Sequence, residues 1–448
     1  MQRTPTKRVS LHTLGCKLNQ TETATIGRQF EREGYELVGF GEPSDVVVLN
    51  TCSVTDRADR ECRQLLRRVR RTSPDAFVAV VGCYAQLRPD EIASIPGVNL
   101  VAGTAEKFDL LRHVASGKGP GPATILRSDR RTFTEAVSAT SDGLERTRAF
   151  LKVQDGCDYT CAFCTIPLAR GASRSVPRQT VINEAEALAL RGYKELVLTG
   201  VNTGDYGRKE GESLVTLLRE LVGLGAFERI RISSVEPNLL TDELLDYWIG
   251  EDILCNHWHI PLQSGSDPVL RRMRRRYGTD WYRDRIDRIH RNVPDAGIGA
   301  DVIVGFPGET DEYFEETVSF LKDMPLSYLH VFTYSERPWT DAPELTGQVE
   351  PRIRSERSER LRALSDRKRR SFHEGFVGRI VQVLTESRDE SGRMTGLSAE
   401  YVRVAMDDSM IEPNNILPVH IVEAGTHECT GLVKSNKRVT IGVDHAVA

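Results

Sequence analysis

The stretch "GCDYTCAFCTIPLARG", residues 156–171, holds three cysteines within eight positions: Cys157, Cys161 and Cys164. Cysteine thiolate is a soft ligand that suits zinc or an iron–sulfur cluster. Structural zinc takes four ligands, usually as two separated pairs, and no second pair or nearby histidine completes this set in the sequence. A cubane cluster normally takes four thiolates. With three, one iron keeps an open position, the general design of a reactive metal site. Two plainer readings stand beside it: chance spacing of buried cysteines, and a zinc knuckle.

Three more cysteines are scattered in sequence yet alike in placement. Cys16 in "TLGCKLN", Cys52 in "VVVLNTC" and Cys83 in "VAVVGCY" each follow the apolar core of an expected strand. The carboxyl ends of parallel strands share one edge of the sheet, where ligands bind. Three thiols tens of residues apart can therefore converge into a second site. The alternative is three ordinary buried cysteines. Cys62, inside a charged helix, and Cys255 and Cys429 lack that placement and read as non-ligands. Nine cysteines, an odd count, fit reduced thiols better than a disulfide framework.

The elements that must position these residues can be read from the alternation of apolar runs and helical patterns. The first ~115 residues alternate strand with helix, which implies a parallel α/β sheet. Residues 116–146, rich in Gly, Ser, Thr and Arg, read as a linker. A second βα series over 147–370 offers six strands, in "FLKVQD", "ELVLTGV", "RIRISSV", "HWHIPLQ", "GADVIVGF" and "YLHVFTY". Six units suit a partial (β/α)6 barrel, and the three-cysteine loop follows the first strand at the C-terminal mouth, where such folds hold their chemistry. A basic helix, "PRIRSERSERLRALSDRKRR", closes this part. Over 371–435 strands follow without helices, in "GRIVQVLTES", "GLSAEYVRVAM" and "ILPVHIVEA", which predicts a small β-barrel; 436–448 is a tail. The net charge of −4 neither favours nor excludes nucleic acid. The N-terminal "MQRTPTKRVS" has no signal-like apolar stretch, and "AFVAVVGCYA" is far short of the ~20 residues that span a bilayer. A cytoplasmic protein without membrane partners is expected.

The C-x3-C-x2-C spacing resembles the signature of the radical S-adenosylmethionine (SAM) superfamily. Two three-cysteine sites in this order, followed by a β domain, resemble the methylthiotransferases. "TLGCKLNQTE", "NTCSVT", "VVGCYAQ", "RISSVEP", "HIPLQSGSDPVLRRMRRRY", "DVIVGFPGET" and "LHVFTYSERPWT" carry the resemblance from about residue 11 to 433. Lys17 and Leu18 after Cys16 are similar to the branch acting on N6-threonylcarbamoyladenosine at position 37 of tRNA. The branches acting on isopentenyladenosine and on a ribosomal protein usually carry Gln-Met and Pro-Lys there. The C-terminal strands resemble an RNA-binding TRAM domain, except that "PNNILPVHI" lacks a usual glycine.

The resemblance implies two 4Fe-4S clusters, one on Cys16, Cys52 and Cys83 and one on Cys157, Cys161 and Cys164. It implies two SAM molecules, one methylating sulfur at the first cluster and one cleaved at the second to a 5′-deoxyadenosyl radical that activates C2 of adenosine. It implies tRNA, through its anticodon loop, and an external electron donor such as flavodoxin or ferredoxin as partners. SAM contacts are expected at the strand ends, from Gly200, Asn202, Glu236, Gln263 and Asp301, with Phe163 packed near the cluster. RNA phosphate contacts are expected from Arg271, Arg272, Arg274, Arg275 and Arg276, from Arg67, Arg68, Arg70 and Arg71, and from the eight arginines and Lys368 of residues 352–370. The competing reading of such runs is a solvated helix face. A non-enzymatic iron–sulfur protein that binds RNA or senses redox state is the rival from another class.

Overall fold

The computed structural model describes residues 6–53, 56–115, 117, 121–141 and 147–434, so the expected tail lies outside the described residues. The chain opens with β1 (Arg8–Thr13), β2 (Glu36–Val38), β3 (Val46–Thr51), β4 (Phe77–Gly82), β5 (Leu100–Ala102) and β6 (Thr124–Leu126), in sheet order β2-β1-β3-β4-β5-β6. All of these pairings are parallel. The near-continuous apolar runs of β3 and β4 are buried throughout, as strands covered on both faces must be. Ile26 and Phe30 of α1 (Lys17–Arg32) cover one face, and Leu66 and Val69 of α2 (Asp56–Thr72) cover the other. The strand order reverses between β1 and β3, and such a switch point opens a crevice at the strands' carboxyl ends.

The stretch read as a linker does more than connect. It supplies β6 to the first sheet and β7 (Ala139–Ser141) to the next, antiparallel to β8 (Arg148–Lys152). Three residues suffice to extend an existing edge, and an edge strand needs no apolar alternation, so the pattern carried no trace of them. Thr140 is fixed to α1 by Thr25 Oγ1 and Arg28 Nη2, which donate to its carbonyl at 3.1 and 2.8 Å.

All six expected βα strands are present. After β8 come the two-residue pair β9 (Gln154–Asp155) and β10 (Arg174–Ser175), then β11 (Glu195–Thr199), β12 (Arg229–Ile232), β13 (His257–His259), β14 (Gly297–Val304) and β15 (Tyr328–Thr333). They form two sheets, β12-β11-β8-β7 and β13-β14-β15, joined by a parallel bridge between Ile230 and Leu254. The result is an open (β/α)6 barrel. The basic helix, Pro351–Glu374, lies along β15, where Ser365 Oγ accepts from Leu329 N at 2.9 Å and donates to Leu329 O at 3.0 Å.

The C-terminal strands β16 (Ile380–Arg388), β17 (Met394–Ser398), β18 (Arg403–Met406), β19 (Ile416–Ala424) and β20 (Cys429–Val433) close into a barrel. "GLSAEYVRVAM", expected as one strand, is two, reversed through Tyr401 at φ 73°. Where the usual glycine is absent, Asn414 takes φ 59°, a conformation asparagine tolerates better than most residues. The β17–β18 tip docks under the larger barrel. Arg229 donates to Leu397 O at 2.7 Å, Arg231 donates to Ser398 O and Ala399 O at 2.9 and 3.0 Å, and buried Glu195 pairs with both arginines. Tyr401 stacks on His257 with ring centroids 4.1 Å apart. Among the described residues no helix is long and apolar enough to cross a membrane.

Candidate active site

Strand β8 delivers the first cysteine loop to the barrel mouth, and the turn depends on Gly156. Its φ is 71°, and a Cβ there would stand 2.0 Å from the Ala172 carbonyl oxygen. Gln154 clamps the loop from below. Its Nε2 donates to Gly156 O at 2.8 Å and Ser173 Oγ at 2.9 Å, and its Oε1 accepts from Asn202 N at 2.8 Å. From above, Ala162 N donates to Met273 O at 3.1 Å and Ala342 N to Ala162 O at 2.8 Å. Phe163 meets Phe306 edge-on at 6.2 Å in the small apolar cluster beneath.

The thiols of this loop feel one another. Burial pushes Cys157 and Cys164 up to about 12, with neighbouring thiols adding to the rise. Burial also raises Cys161, against the pull of Arg275, whose Nη1 donates to its Sγ at 3.1 Å. Left alone, these thiols hold their protons. A metal cation turns desolvated thiols into thiolates, so the donor set fits a cluster. Burial raises the Glu236 carboxyl, and Arg275 pairs with it.

The expected SAM contacts divide into three groups. Phe163, Gln263 and Asp301 line one cavity of about 280 Å³ together with Cys164, Phe332 and Tyr334. Gln263 holds φ 69° there, the kind of strained backbone that collects at functional sites. Burial would raise the Asp301 carboxyl, but His259 at 3.1 Å and His330 at 3.2 Å hold it well below the carboxylate range. Glu236 reaches Cys161 only through Arg275. Gly200 and Asn202 sit against Gln154; Asn202 is buried, and neither polar atom of its side chain has a protein partner. A buried amide without partners fits a position that faces a polar ligand.

Cys16, Cys52 and Cys83 lie at the carboxyl edge of the first sheet, after β1, β3 and β4. Gly15, at φ 98°, packs so closely that a Cβ would stand 2.8 Å from Cys52 Sγ. Cys16 is exposed, while Cys52 and Cys83 are buried. Burial raises the Cys83 thiol; Arg170 and Lys107 oppose the rise, and Cys16 adds to it. Positive charge beside these thiols suits a second thiolate-held cluster.

A buried ionic network ties the two cysteine sites together, and sequence reasoning missed it. Glu22 of α1 pairs with Lys107, with Lys152 at 2.9 Å and with Arg170 at 3.0 Å. Asp155, two residues before Cys157, pairs with Lys152 at 2.6 Å and Arg170 at 3.0 Å. Arg170 also donates to Asn19 Oδ1 at 2.7 Å. Thr104 Oγ1 donates to Ala169 O at 2.8 Å, which fastens the loop to the first sheet again. The available signal was Lys152 and Asp155, two charges in the buried stretch "FLKVQD".

Several arginines expected on RNA have other work. Arg275 is buried on Glu236 and Cys161. Arg272 donates to Pro307 O and Thr346 O. Arg354 and Arg357 are buried, the first on Val349 O and Glu336, the second on Glu309 and Asp311. Helical spacing put them on the inner face, which a charge count ignores. Arg67, Arg68, Arg70 and Arg71 are exposed but end α2, so they stand at the sheet edge opposite the cysteines, with Arg68 against Gly41 and Arg70 against Gly97. Arg271, Arg274 and Arg276 are exposed; Arg274 pairs with Asp341, and Arg276 donates to Asp158 O at 3.1 Å and lies 3.9 Å over the Tyr159 ring. Cys62, Cys255 and Cys429 are buried core residues, and burial pushes Cys62 up to about 12.

Residues 151–321 match the model of the radical SAM superfamily, and residues 8–103 match that of the uncharacterized protein family UPF0004. The threonylcarbamoyladenosine tRNA methylthiotransferase MtaB of Bacillus subtilis is 40% identical, over 93% of this chain and 94% of its own. The chain belongs to the radical SAM methylthiotransferases. The MtaB of Thermotoga maritima is 35% identical over 89% and 91% of the two chains. A tRNA-2-methylthio-N(6)-dimethylallyladenosine synthase of Syntrophotalea carbinolica is 33% identical over 92% and 97%. Among solved structures, the radical SAM methyltransferase TsrM of Kitasatospora setae, with cobalamin and a [4Fe-4S] cluster bound, superposes with a TM-score of 0.55 at 16% identity, covering 75% and 77%. This methylthiotransferase works with SAM and [4Fe-4S] clusters.

Proposed function

We propose that this methylthiotransferase places a methylthio group on C2 of N6-threonylcarbamoyladenosine at position 37 of tRNA. The observation that carries the chemistry is the pair of three-thiol sites, one on each α/β part of the chain, held to each other by the buried Glu22–Arg170–Asp155 network. The substrate rests on the relatives bearing that name at 40% identity over nearly the whole chain. When bound, the clusters and SAM supply the electron transfer, the radical, the sulfur and the methyl group.

The chain's own residues do the holding. Cys157, Cys161 and Cys164 hold the radical cluster, with Arg275 donating to the Cys161 sulfur. Cys16, Cys52 and Cys83 hold the second cluster. Asn202, Gln263 and Asp301 offer polar groups to SAM, Phe163 walls its cavity, Gly200 lets Gln154 brace the loop, and Glu236 sets Arg275. The sheet of β1 to β6 forms the second-cluster domain, β7 through the Pro351–Glu374 helix the radical domain, and the β16–β20 barrel the TRAM domain, which meets RNA. The anticodon loop is single-stranded, which lowers the cost of presenting a base. The enzyme acts in the cytoplasm and takes electrons from a flavodoxin or ferredoxin.

Nucleoside mass spectrometry of bulk tRNA tests the reading. Deleting the gene should erase the 2-methylthio form of N6-threonylcarbamoyladenosine and leave its unthiolated parent. Loss of the dimethylallyl methylthio nucleoside instead would move the enzyme to the other tRNA branch, and unchanged tRNA would point to a ribosomal protein.

A further inference from the structure

A second cavity, of about 250 Å³, lies where β15, the Pro351–Glu374 helix and the C-terminal barrel meet. Its cationic lining is Arg148, Arg369 and Arg403, with His330, His373 and His427 beside them, and no carboxylate lines it. Glu386 sits behind the wall, 2.8 Å from Arg148 and 3.3 Å from Arg403. Arg369 lies over the Tyr328 ring at 5.5 Å and approaches His427 Nδ1 at 3.3 Å. Among the described residues, the contacts of its guanidinium are that ring and that imidazole, neither of them a carboxylate. Glu386 engages two of these guanidinium groups from behind, so Arg369 is the one turned to the cavity without a carboxylate, and with Arg403 and the histidines around it makes a seat for an anion.

The seat adjoins the first cavity. Side chains two apart on a strand share a face. Along β15, Tyr328 and His330 line the basic cavity, while Phe332 and the following Tyr334 line the cavity beside Cys164. The two spaces meet across the His330–Asp301 contact of 3.2 Å. Phe332 is 44% exposed and offers an aromatic face on which a base can stack. A base stacked on Phe332 at the rim of the first cavity, beside the SAM held there, can therefore send a substituent past His330 into the second.

We propose that the cavity of Arg369 and Arg403 binds the carboxylate of the N6-threonylcarbamoyl group and so selects this nucleoside over adenosines with a neutral or absent N6 substituent. The proposal rests on the substrate reading above. A phosphate of the RNA backbone has the same charge chemistry, and the test separates the two sources. No bond is made or broken in this step.

The experiment uses the reconstituted full-length enzyme and two tRNAs identical except at residue 37, one with N6-threonylcarbamoyladenosine and one with plain adenosine. Dissociation constants and methylthio transfer are measured for wild type, Arg369→Gln and Arg369→Lys. Hydrogen bonds to a charged group are worth ~1.5–3 kcal/mol, so Arg369→Gln should weaken binding of the modified tRNA about 10- to 100-fold. Its affinity for plain tRNA and its 5′-deoxyadenosine formation without tRNA should stay at the wild-type level, and Arg369→Lys should restore part of the preference. Equal weakening for both tRNAs would assign the cavity to backbone phosphate and overturn the proposal. An unchanged preference would overturn it as well. A wild-type enzyme that binds modified tRNA tightly yet never thiolates it would instead remove the substrate reading, a result the variants cannot mimic.

Discussion

Alanine at Gly156 should cost the enzyme its radical cluster while alanine at Gly192 should not. Both glycines lie in the left-handed region, at φ 71° and 86°. At Gly192 a Cβ meets nothing within 4 Å, whereas at Gly156 it meets Ala172 O at 2.0 Å and Gly171 O at 2.8 Å. The left-handed backbone alone costs an alanine about 1–2 kcal/mol, which is the whole effect expected at Gly192. At Gly156 the backbone must also open by roughly 1 Å to reach a normal contact, and such overpacking adds about 1–3 kcal/mol. The expected total is about 2–5 kcal/mol. It falls on the loop itself, because Cys157 N donates to Gly171 O at 3.0 Å across this same gap. Denaturation midpoints of the two apo variants should differ accordingly. After anaerobic reconstitution, Gly156→Ala should hold about half the wild-type iron, with the other cluster intact, and Gly192→Ala all of it. Equal midpoints and full iron in both variants would refute the claim that close packing at Gly156 sets the cysteine geometry.

Arg275→Met should destabilise by about 3–5 kcal/mol in urea denaturation, since Glu236 loses its partner inside the protein; adding Glu236→Gln should recover part of that loss. Glu22 is held well below the usual carboxylate range: burial opposes ionisation, but Arg170, Lys107 and Lys152 outweigh it. A lowered folded-state value gives stability that is full above the unfolded value of about 4.3 and fades as pH falls below it, so wild-type melting temperature should drop more steeply below about pH 4 than that of Glu22→Gln, which starts lower. Affinity for tRNA should fall with salt, and Arg357→Met should leave that slope unchanged while lowering stability, because its guanidinium is already engaged by Glu309 and Asp311.

Much of the scaffold was legible because apolar runs announce parallel strands. The buried "VVVLNT" and "FVAVVG" became β3 and β4, and the switch point of that sheet put Cys16 and Cys52 beside each other. Edge strands were not legible, since β6 and β7 add three residues each to sheets already built. Nor was the turn at Tyr401, whose left-handed backbone is supported by partners far away in sequence, His257 and Arg231. Charge runs misled for the same reason. Arg275 and Arg276 are adjacent in sequence, yet one is buried on a cysteine sulfur and the other lies over Tyr159 at the surface. The Glu22 network, spread from residue 22 to residue 170, appears only when the two α/β parts come together.

The central claim is that the two cysteine sets hold separate clusters with separate duties, and Cys52→Ala set beside Cys161→Ala tests it most directly. Each reconstituted variant is assayed for iron, for 5′-deoxyadenosine and for methylthio transfer to tRNA bearing N6-threonylcarbamoyladenosine. Cys52→Ala should lose about one cube's worth of iron, keep forming 5′-deoxyadenosine and transfer no methylthio group, whereas Cys161→Ala should form no 5′-deoxyadenosine at all. Full iron and normal transfer by Cys52→Ala, or SAM cleavage at the wild-type rate by Cys161→Ala, would contradict the account.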